Sequence, residues 1–310
     1  MKVKHNNNYR LSTFDFQLLV MKLHSINAGN FKLDGGAMFG VVPKSIWQKT
    51  NPADENNMCE LTMRCLLIED ADKLILVDTG MGNKQSEKFF SYYYLFGNDS
   101  LLGNLAKLGF CKEDITDVVF THLHFDHSGG AIIKEGDTLL PTFPNATFWS
   151  NEAHWQWAIH PNSREKASFL KENIFPLEAS GKLKMVDSSN IEISNNQLAI
   201  APSSISKSLF FRFSNGHTRA MMLPQIEYKD KTIVYMADLL ALAAHIPMPY
   251  VMSYDMFPVT TMDEKTAFFK EAIDNEYILF LEHDPVYECI TLHQTEKGIK
   301  IKEAFKLKDI

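Results

Sequence analysis

Short apolar runs recur along the chain, and several end in clusters of histidine and acid. The runs at 64–68 (RCLLI) and 73–77 (KLILV) have the length and side chains of buried strands. Polar residues 69–72 between them predict a hairpin turn. Further strands are predicted at 115–120, 209–213, 218–223, 232–237 and 277–281. Residues 86–108, rich in leucine and aromatics, predict a helix with a break at Gly97-Asn98. Helices are also predicted at 152–158, 163–173 and 261–274. In the last, Asp263 and Glu264 suit the first turn, and Ala267, Phe268 and Ala272 give an apolar face. A β-rich opening thus leads to a helical stretch and then to alternating strands and helices. No repeat or linker interrupts this order. Residues 1–310 read as a single domain, with 1–60 as an N-terminal arm or lid.

The composition, 45% hydrophobic and 22% charged, is that of an ordinary globular protein. A core drawn from 310 residues needs no disulfide or structural metal, so a bound metal would serve chemistry. The net charge of -7 gives no basic footprint for nucleic acid. Cys59, Cys65, Cys111 and Cys289 match no zinc-ribbon or redox spacing, and read as buried small residues in a reducing compartment. The apolar run at 16–20 is too short for a secretory signal, and no stretch approaches a membrane span. A cytoplasmic protein without membrane or nucleic-acid partners is the expectation.

The polar residues at the strand ends change the picture. The strand at 115–120 runs into Thr121-His122-Leu123-His124-Phe125-Asp126-His127, that at 232–237 into Asp238, and that at 277–281 into Glu282-His283-Asp284. Strands packed in one core can bring such ends together in a cleft. In an extended segment His122 and His124 share one face. Ser128-Gly129-Gly130 then forces a turn that offers Asp126 and His127 to a second position nearby. Four nitrogen and oxygen donors within six residues suit zinc. The competing reading, a His- and Asp-rich surface loop, fits this density poorly. By contrast His24, His154, His160 and His293 stand alone and read as packing or surface residues, and His5 sits in a polar tail.

THLHFDHSGG closely resembles the signature of the metallo-β-lactamase superfamily. Leu76-Val77-Asp78-Thr79-Gly80, Asn215-Gly216-His217-Thr218, Asp238 and Leu281-Glu282-His283-Asp284 resemble its other motifs, in order, across 61–284. The resemblance implies an α/β fold, a four-layered αββα sandwich with the site at one edge. It implies two divalent metal ions, zinc foremost, although manganese, iron or cobalt fits the same donors. His122, His124 and His217 would hold one ion and Asp126, His127 and His283 the other, with Asp238 bridging. A bridging hydroxide would attack a lactone or ester carbonyl, and Asp126 or Asp238 would carry a proton to the leaving group. Asp78 would orient a ligand histidine from behind.

Within the superfamily the chain resembles the quorum-quenching acyl-homoserine lactonases and the related methyl-parathion-type hydrolases. Aryl phosphotriester or phosphodiester hydrolysis is therefore the alternative, and a redox metalloprotein on the same fold a third reading. Many lactonases carry a tyrosine three residues after the bridging aspartate; here that residue is Ala241, and Tyr250 or Tyr254 would have to replace it. His217-Thr218-Arg219-Ala220 lacks the second histidine of glyoxalase-II-like enzymes. Met38, Phe39 and Trp47 are candidates for a pocket wall, against a plain buried strand and turn, and His245 and Tyr250 are candidates to face the cleft. Tyr92, Tyr93, Tyr94 and Phe96 read as core or as the contact of a homodimer.

Overall fold

A computed structural model describes residues 21–188 and 198–310. The apolar run at 16–20 and His5 lie outside the described residues. The first half comprises β1 (Lys22–Asp34), α1 (Gly35–Phe39), α2 (Lys44–Trp47), β2 (Met58–Asp70), β3 (Lys73–Val77), α3 (Glu87–Ser91), α4 (Leu101–Lys107), β4 (Asp117–Val119), α5 (Phe125–Ser128), β5 (Ile132–Glu135), β6 (Thr138–Pro141), β7 (Thr147–Ser150), α6 (Glu152–Ile159), α7 (Lys171–Ala179) and β8 (Leu183–Met185). The second half comprises β9 (Ala199–Pro202), β10 (Leu209–Ser214), β11 (Met221–Tyr228), β12 (Lys231–Tyr235), α8 (Pro258–Asp274), β13 (Ile278–Phe280), β14 (Cys289–Thr295) and β15 (Gly298–Phe305).

Two sheets stack face to face. One has the order β1-β2-β3-β4-β7-β8, the other β15-β14-β13-β12-β11-β10-β9, and β5 and β6 form a separate hairpin. Strand alternation sorts the side chains into layers. From β2 to β4, Leu66, Ile68, Ile75, Val77 and Val119 join the core between the sheets. Their neighbours Cys65, Leu67, Leu74, Leu76 and Val118 face the other way, onto Leu101 and Leu105 of α4, Trp155 of α6 and Ile174 and Leu177 of α7. α8 covers the outer face of the second sheet with Phe268, Phe269 and Ala272. The result is the four-layered αββα sandwich that the sequence predicted.

Several elements differ from expectation. The span 86–108 breaks at Gly97 as expected, but the break is wider, leaving α3 and α4 short, because Tyr94 also turns to positive φ and Phe96 bridges to Asn30. The helix expected at 163–173 begins only at Lys171. Residues 163–169 instead form a turn in which Asn162 Oδ1 accepts from the backbone of Arg164 and Glu165. The strand expected from 218 starts at Met221. Pro258 opens α8, so Asp263 and Glu264 fall beyond its first turn. Within 1–60, β1 is the edge strand of the first sheet, paired with β2 through a bulge between Asn27 and Asn30. Cys59, Cys65 and Cys289 are buried as expected, but Cys111 is exposed. Among the described residues no helix is long and apolar enough to cross a membrane.

Candidate metal centre

The site forms where the C-terminal ends of β4, β10, β12 and β13 meet. β4 ends at Val119, and a short irregular segment leads to His124, which caps the single turn α5 carrying Asp126 and His127. The two glycines that follow are set by close approach. A Cβ on Gly129 would lie 2.2 Å from the Met81 carbonyl oxygen, and one on Gly130 2.2 Å from that of Thr79. The two motifs are clamped together there: Thr79 N donates to His127 O at 2.7 Å and Gly130 N to Gly80 O at 2.9 Å.

The other ligands arrive by equally specific turns. Glu264 of α8 accepts from the Ser214 hydroxyl and from the amides of Asn215 and Gly216, shaping the turn before His217. Burial nevertheless pushes its carboxyl up to about 7. Ala237, with φ 41°, turns the chain out of β12 so that Asp238 enters the cleft. Asp78 also has a positive φ, 56°. Such backbone is strained for residues with a side chain, and it sits here at the base of the site. Thr62 N bonds the His283 carbonyl at 3.1 Å and so ties the loop after β13 to the first sheet.

The structure brings all seven expected ligands together, buried. His122, His124, His217 and Asp238 offer donor atoms within 4.8 Å of one another, as do Asp126, His127 and His283. Asp238 lies between the groups. Its Oδ2 is 3.1 Å from His217 Nε2 and 3.7 Å from His127 Nε2, and its Oδ1 is 3.1 Å from His283 Nε2. Asp126 Oδ2 is 3.9 Å from both His127 Nε2 and His283 Nε2.

Each histidine turns its other nitrogen outward to an acceptor. His124 Nε2 donates to Glu165 at 3.0 Å, His217 Nδ1 to Asp255 at 2.8 Å and His283 Nδ1 to the Thr62 carbonyl at 2.7 Å. His127 Nδ1 lies 3.0 Å from Asp78 and 3.1 Å from Glu282. The Thr121 hydroxyl donates to Asp78 at 2.7 Å, leaving its oxygen to accept from His122 Nδ1 at 3.0 Å. All five imidazoles are thereby set in the tautomer whose inward nitrogen carries a lone pair. Asp238 Oδ1 is buried and accepts no hydrogen bond. Converging lone pairs around an unsatisfied carboxylate oxygen suit cations.

Burial, reinforced by His127, His124 and His217, holds His122 well below its ordinary value. Burial acts the same way on His127, but Glu282, Asp126 and Asp238 outweigh it and hold His127 well above. Asp238 resists burial because His217, His283 and His127 hold it well below the usual carboxylate range. Burial and the adjacent Glu282 raise Asp78 to about 7.

Asp78 lies behind His127, on the nitrogen that faces away from the cluster. Glu165, Asp255 and Glu282 were not singled out. Glu282 adjoins His283 in a recognised strand end, whereas Glu165 and Asp255 carry no sequence signal. Among the isolated histidines, His154 is a buried brace: it accepts from Leu123 N at 2.8 Å and donates to the Arg219 carbonyl at 2.7 Å. Burial lowers its pKa to about 4.

A cleft of about 420 Å³ opens over the ligands. Its walls include Leu33, Met38, Leu61, Tyr93, Arg164, Met252, Tyr254 and Met256. Of the expected pocket residues only Met38 lines it. Phe39 and Trp47 stack on one another at 5.0 Å, with His245 and Tyr250 against Phe39, in a core beneath the cleft. His245 donates to the Met38 carbonyl at 2.9 Å and so braces the wall from behind. Ala241 is buried in that same core. The aromatic cluster divides: Tyr92 and Tyr94 face solvent, while Tyr93 packs on Phe125 at 4.7 Å and lines the cleft.

Residues 64–133 match the model of the metallo-beta-lactamase superfamily. An N-acyl homoserine lactonase of Bacillus cereus is 26% identical over 169 residues, 51% of this chain and 58% of that protein. The chain thus spans little more than half the length of the curated relative. A probable metal-dependent hydrolase from Staphylococcus aureus has a solved structure with a TM-score of 0.80, 29% identity, and coverage of 92% of this chain and 96% of that one. AidC, a dizinc quorum-quenching lactonase solved in complex with a product, has a TM-score of 0.72 at 22% identity, covering 92% and 95%.

Proposed function

From a chain with the metallo-β-lactamase fold, we propose a dinuclear metal-dependent hydrolase acting on lactones or carboxylic esters. The observation that carries this reading is the pair of donor groups sharing Asp238 at the floor of one cleft. His122, His124 and His217 would hold one divalent ion and Asp126, His127 and His283 the other, with Asp238 between them. The nitrogen and carboxylate donor set favours zinc. Two such ions, when bound, would supply hydroxide at neutral pH and polarise a carbonyl.

The chain's own residues do the rest. Glu165, Asp255, Asp78 and Glu282 keep the ligand rings oriented. Asp126 and Asp238 are the carboxylates positioned to take a proton and pass it to a leaving oxygen. Tyr254 lines the cleft where Ala241 cannot, and is our choice of hydroxyl donor to the substrate carbonyl. The apolar wall of Leu33, Met38, Leu61 and Met252 suits an acyl chain. The lactonase relative supports this substrate class.

The test is proton release from a long-chain acyl-homoserine lactone, an aryl ester and an aryl phosphotriester, each with and without chelator. Chelator-sensitive turnover of the lactone or ester is the expected result. Turnover of the phosphotriester alone would move the chemistry to phosphorus, and silence on all three would overturn the hydrolase reading.

A further inference from the structure

We propose that Arg164 binds an anionic group on the acyl part of the substrate, so that esters or lactones bearing a distal carboxylate are preferred. This rests on the hydrolase reading above and adds a substrate class to it. Arg164 lines the cleft from the turn that also carries Glu165. Its guanidinium donates to the Ser253 carbonyl in the opposite wall, and among the described residues no carboxylate pairs with it. The other arginines that bond in the core are committed: Arg64 to the carbonyls of Leu281 and Asp284, and Arg212 to both oxygens of Glu271. A guanidinium has five N–H donors in a planar fork that matches a carboxylate. Arg164 thus brings unspent donors to the rim of a site built for acyl chemistry.

Its position sets which donor group it stands beside. Arg164 and Ser253 join the two loops whose Glu165 and Asp255 orient His124 and His217. The guanidinium therefore stands on the side of the His122, His124 and His217 group, while Tyr93 stands beside Phe125 and Asp126 on the other. Met252 and Met256 flank Ser253 and Tyr254 in that wall, so apolar thioether surface and the cation share one face. The adjacent acid, Glu165, is occupied by four other donors and makes no ion pair with Arg164. A flexible chain with an apolar stem and a carboxylate end fits this combination.

The experiment compares adipate with hexanoate, which share one carboxylate and a six-carbon chain, in calorimetric titrations of the zinc-loaded protein at low salt. Adipate should bind about tenfold more tightly, the scale of one charge-assisted pair at a partly exposed site. Arg164→Gln should bring the ratio close to one, and Arg164→Lys should keep part of it. Equal binding of the two by the native protein would overturn the proposal, as would an Arg164→Gln variant that weakens both by the same factor. Mono-aryl adipate and aryl hexanoate are then compared as substrates. If neither is hydrolysed while the adipate preference persists, the hydrolase reading fails and Arg164 keeps its role. If both are hydrolysed equally and bind equally, the reverse holds.

Discussion

Glu165→Gln isolates what one buried carboxylate does for the first ligand group. Oε1 of Glu165 accepts from His124 Nε2 and the Thr218 hydroxyl, and Oε2 accepts from Trp157 Nε1 at 2.7 Å and Asn162 Nδ2 at 3.2 Å. Burial alone would raise this acid, yet the bonds from His124, Thr218 and Trp157 bring it down to about 2. Glutamine has the same shape but one accepting oxygen. If that oxygen stays on His124 and Thr218, the amide N–H₂ faces two donors, and two of the four bonds are lost. Each donor left unsatisfied costs about 1 to 3 kcal/mol when buried. Trp157 is half-buried and Asn162 is exposed, so we expect a total of about 1 to 2 kcal/mol, measured by urea denaturation of the metal-free protein. The remaining bond to His124 would no longer be charge-assisted, and support lost from behind a ligand histidine typically weakens metal binding about 10- to 100-fold. Competition with a chromophoric chelator would resolve two binding steps. Only the step governed by His122, His124, His217 and Asp238 should weaken this much. Equal weakening of both steps, or no change in either, would refute the assignment of Glu165 to one group.

Other perturbations give equally definite outcomes. Asp238→Ala should abolish turnover and lower bound metal below two ions per chain by elemental analysis; full activity with undiminished metal would remove Asp238 from between the groups. Asp78→Ala should weaken the second binding step by about 10-fold or more, since His127 and Thr121 both bond to it. Lys265 is fully buried, its ammonium held by the carbonyls of His245 and Tyr250, and burial lowers it to about 8. Between that value and its ordinary one near 10.5 the unfolded chain binds a proton that the folded chain does not. Stability therefore rises with pH in this window, by at most about 1.4 kcal/mol per unit. The native protein should gain on Lys265→Met from pH 8 to 10 in denaturation midpoints, and parallel curves would count against a depressed Lys265. A thiol reagent should modify Cys111 alone in the folded protein, with Cys59, Cys65 and Cys289 reacting only on unfolding; rapid modification of Cys65 would contradict its burial.

The clustering of the candidate ligands was legible because their positions follow from strand geometry. A run of apolar residues that stops at a polar one marks both the end of a strand and the start of the cleft, as at Val119, Tyr235 and Phe280. The layering came from the resemblance of the motifs, because the unbroken apolar runs of β2 and β3 mark strands buried on both faces without saying what covers them. The supports behind the ligands were not. Glu165 lies in a turn that mimics a helix in sequence, and what it touches is decided by Thr218 and Trp157, on other elements. Asp255 meets His217 across 38 positions, with nothing local to announce it. The pocket failed for a related reason. Phe39 and Trp47 are large and apolar, as a substrate wall would be, but two aromatic rings that can stack and bury each other do so. What faces the cleft instead is a mix of Leu33, Leu61 and Met252 with the polar-tipped Tyr93, Tyr254 and Arg164.

The wide spread of the ligands also sets when the centre can exist in a growing chain. His127 and His283, whose ring nitrogens approach to 3.2 Å, stand 156 positions apart. On a ribosome adding roughly 5 to 20 residues per second, the first cluster of histidines would wait on the order of ten seconds or more for its last member. The loop after β13 closes the site and at the same moment ties β2 to the second sheet through Thr62 and Arg64. A metal centre built from these residues would thus be complete only once residue 283 is made, and a chain truncated before it would lack both that candidate ligand and the seam between β2 and the loop after β13.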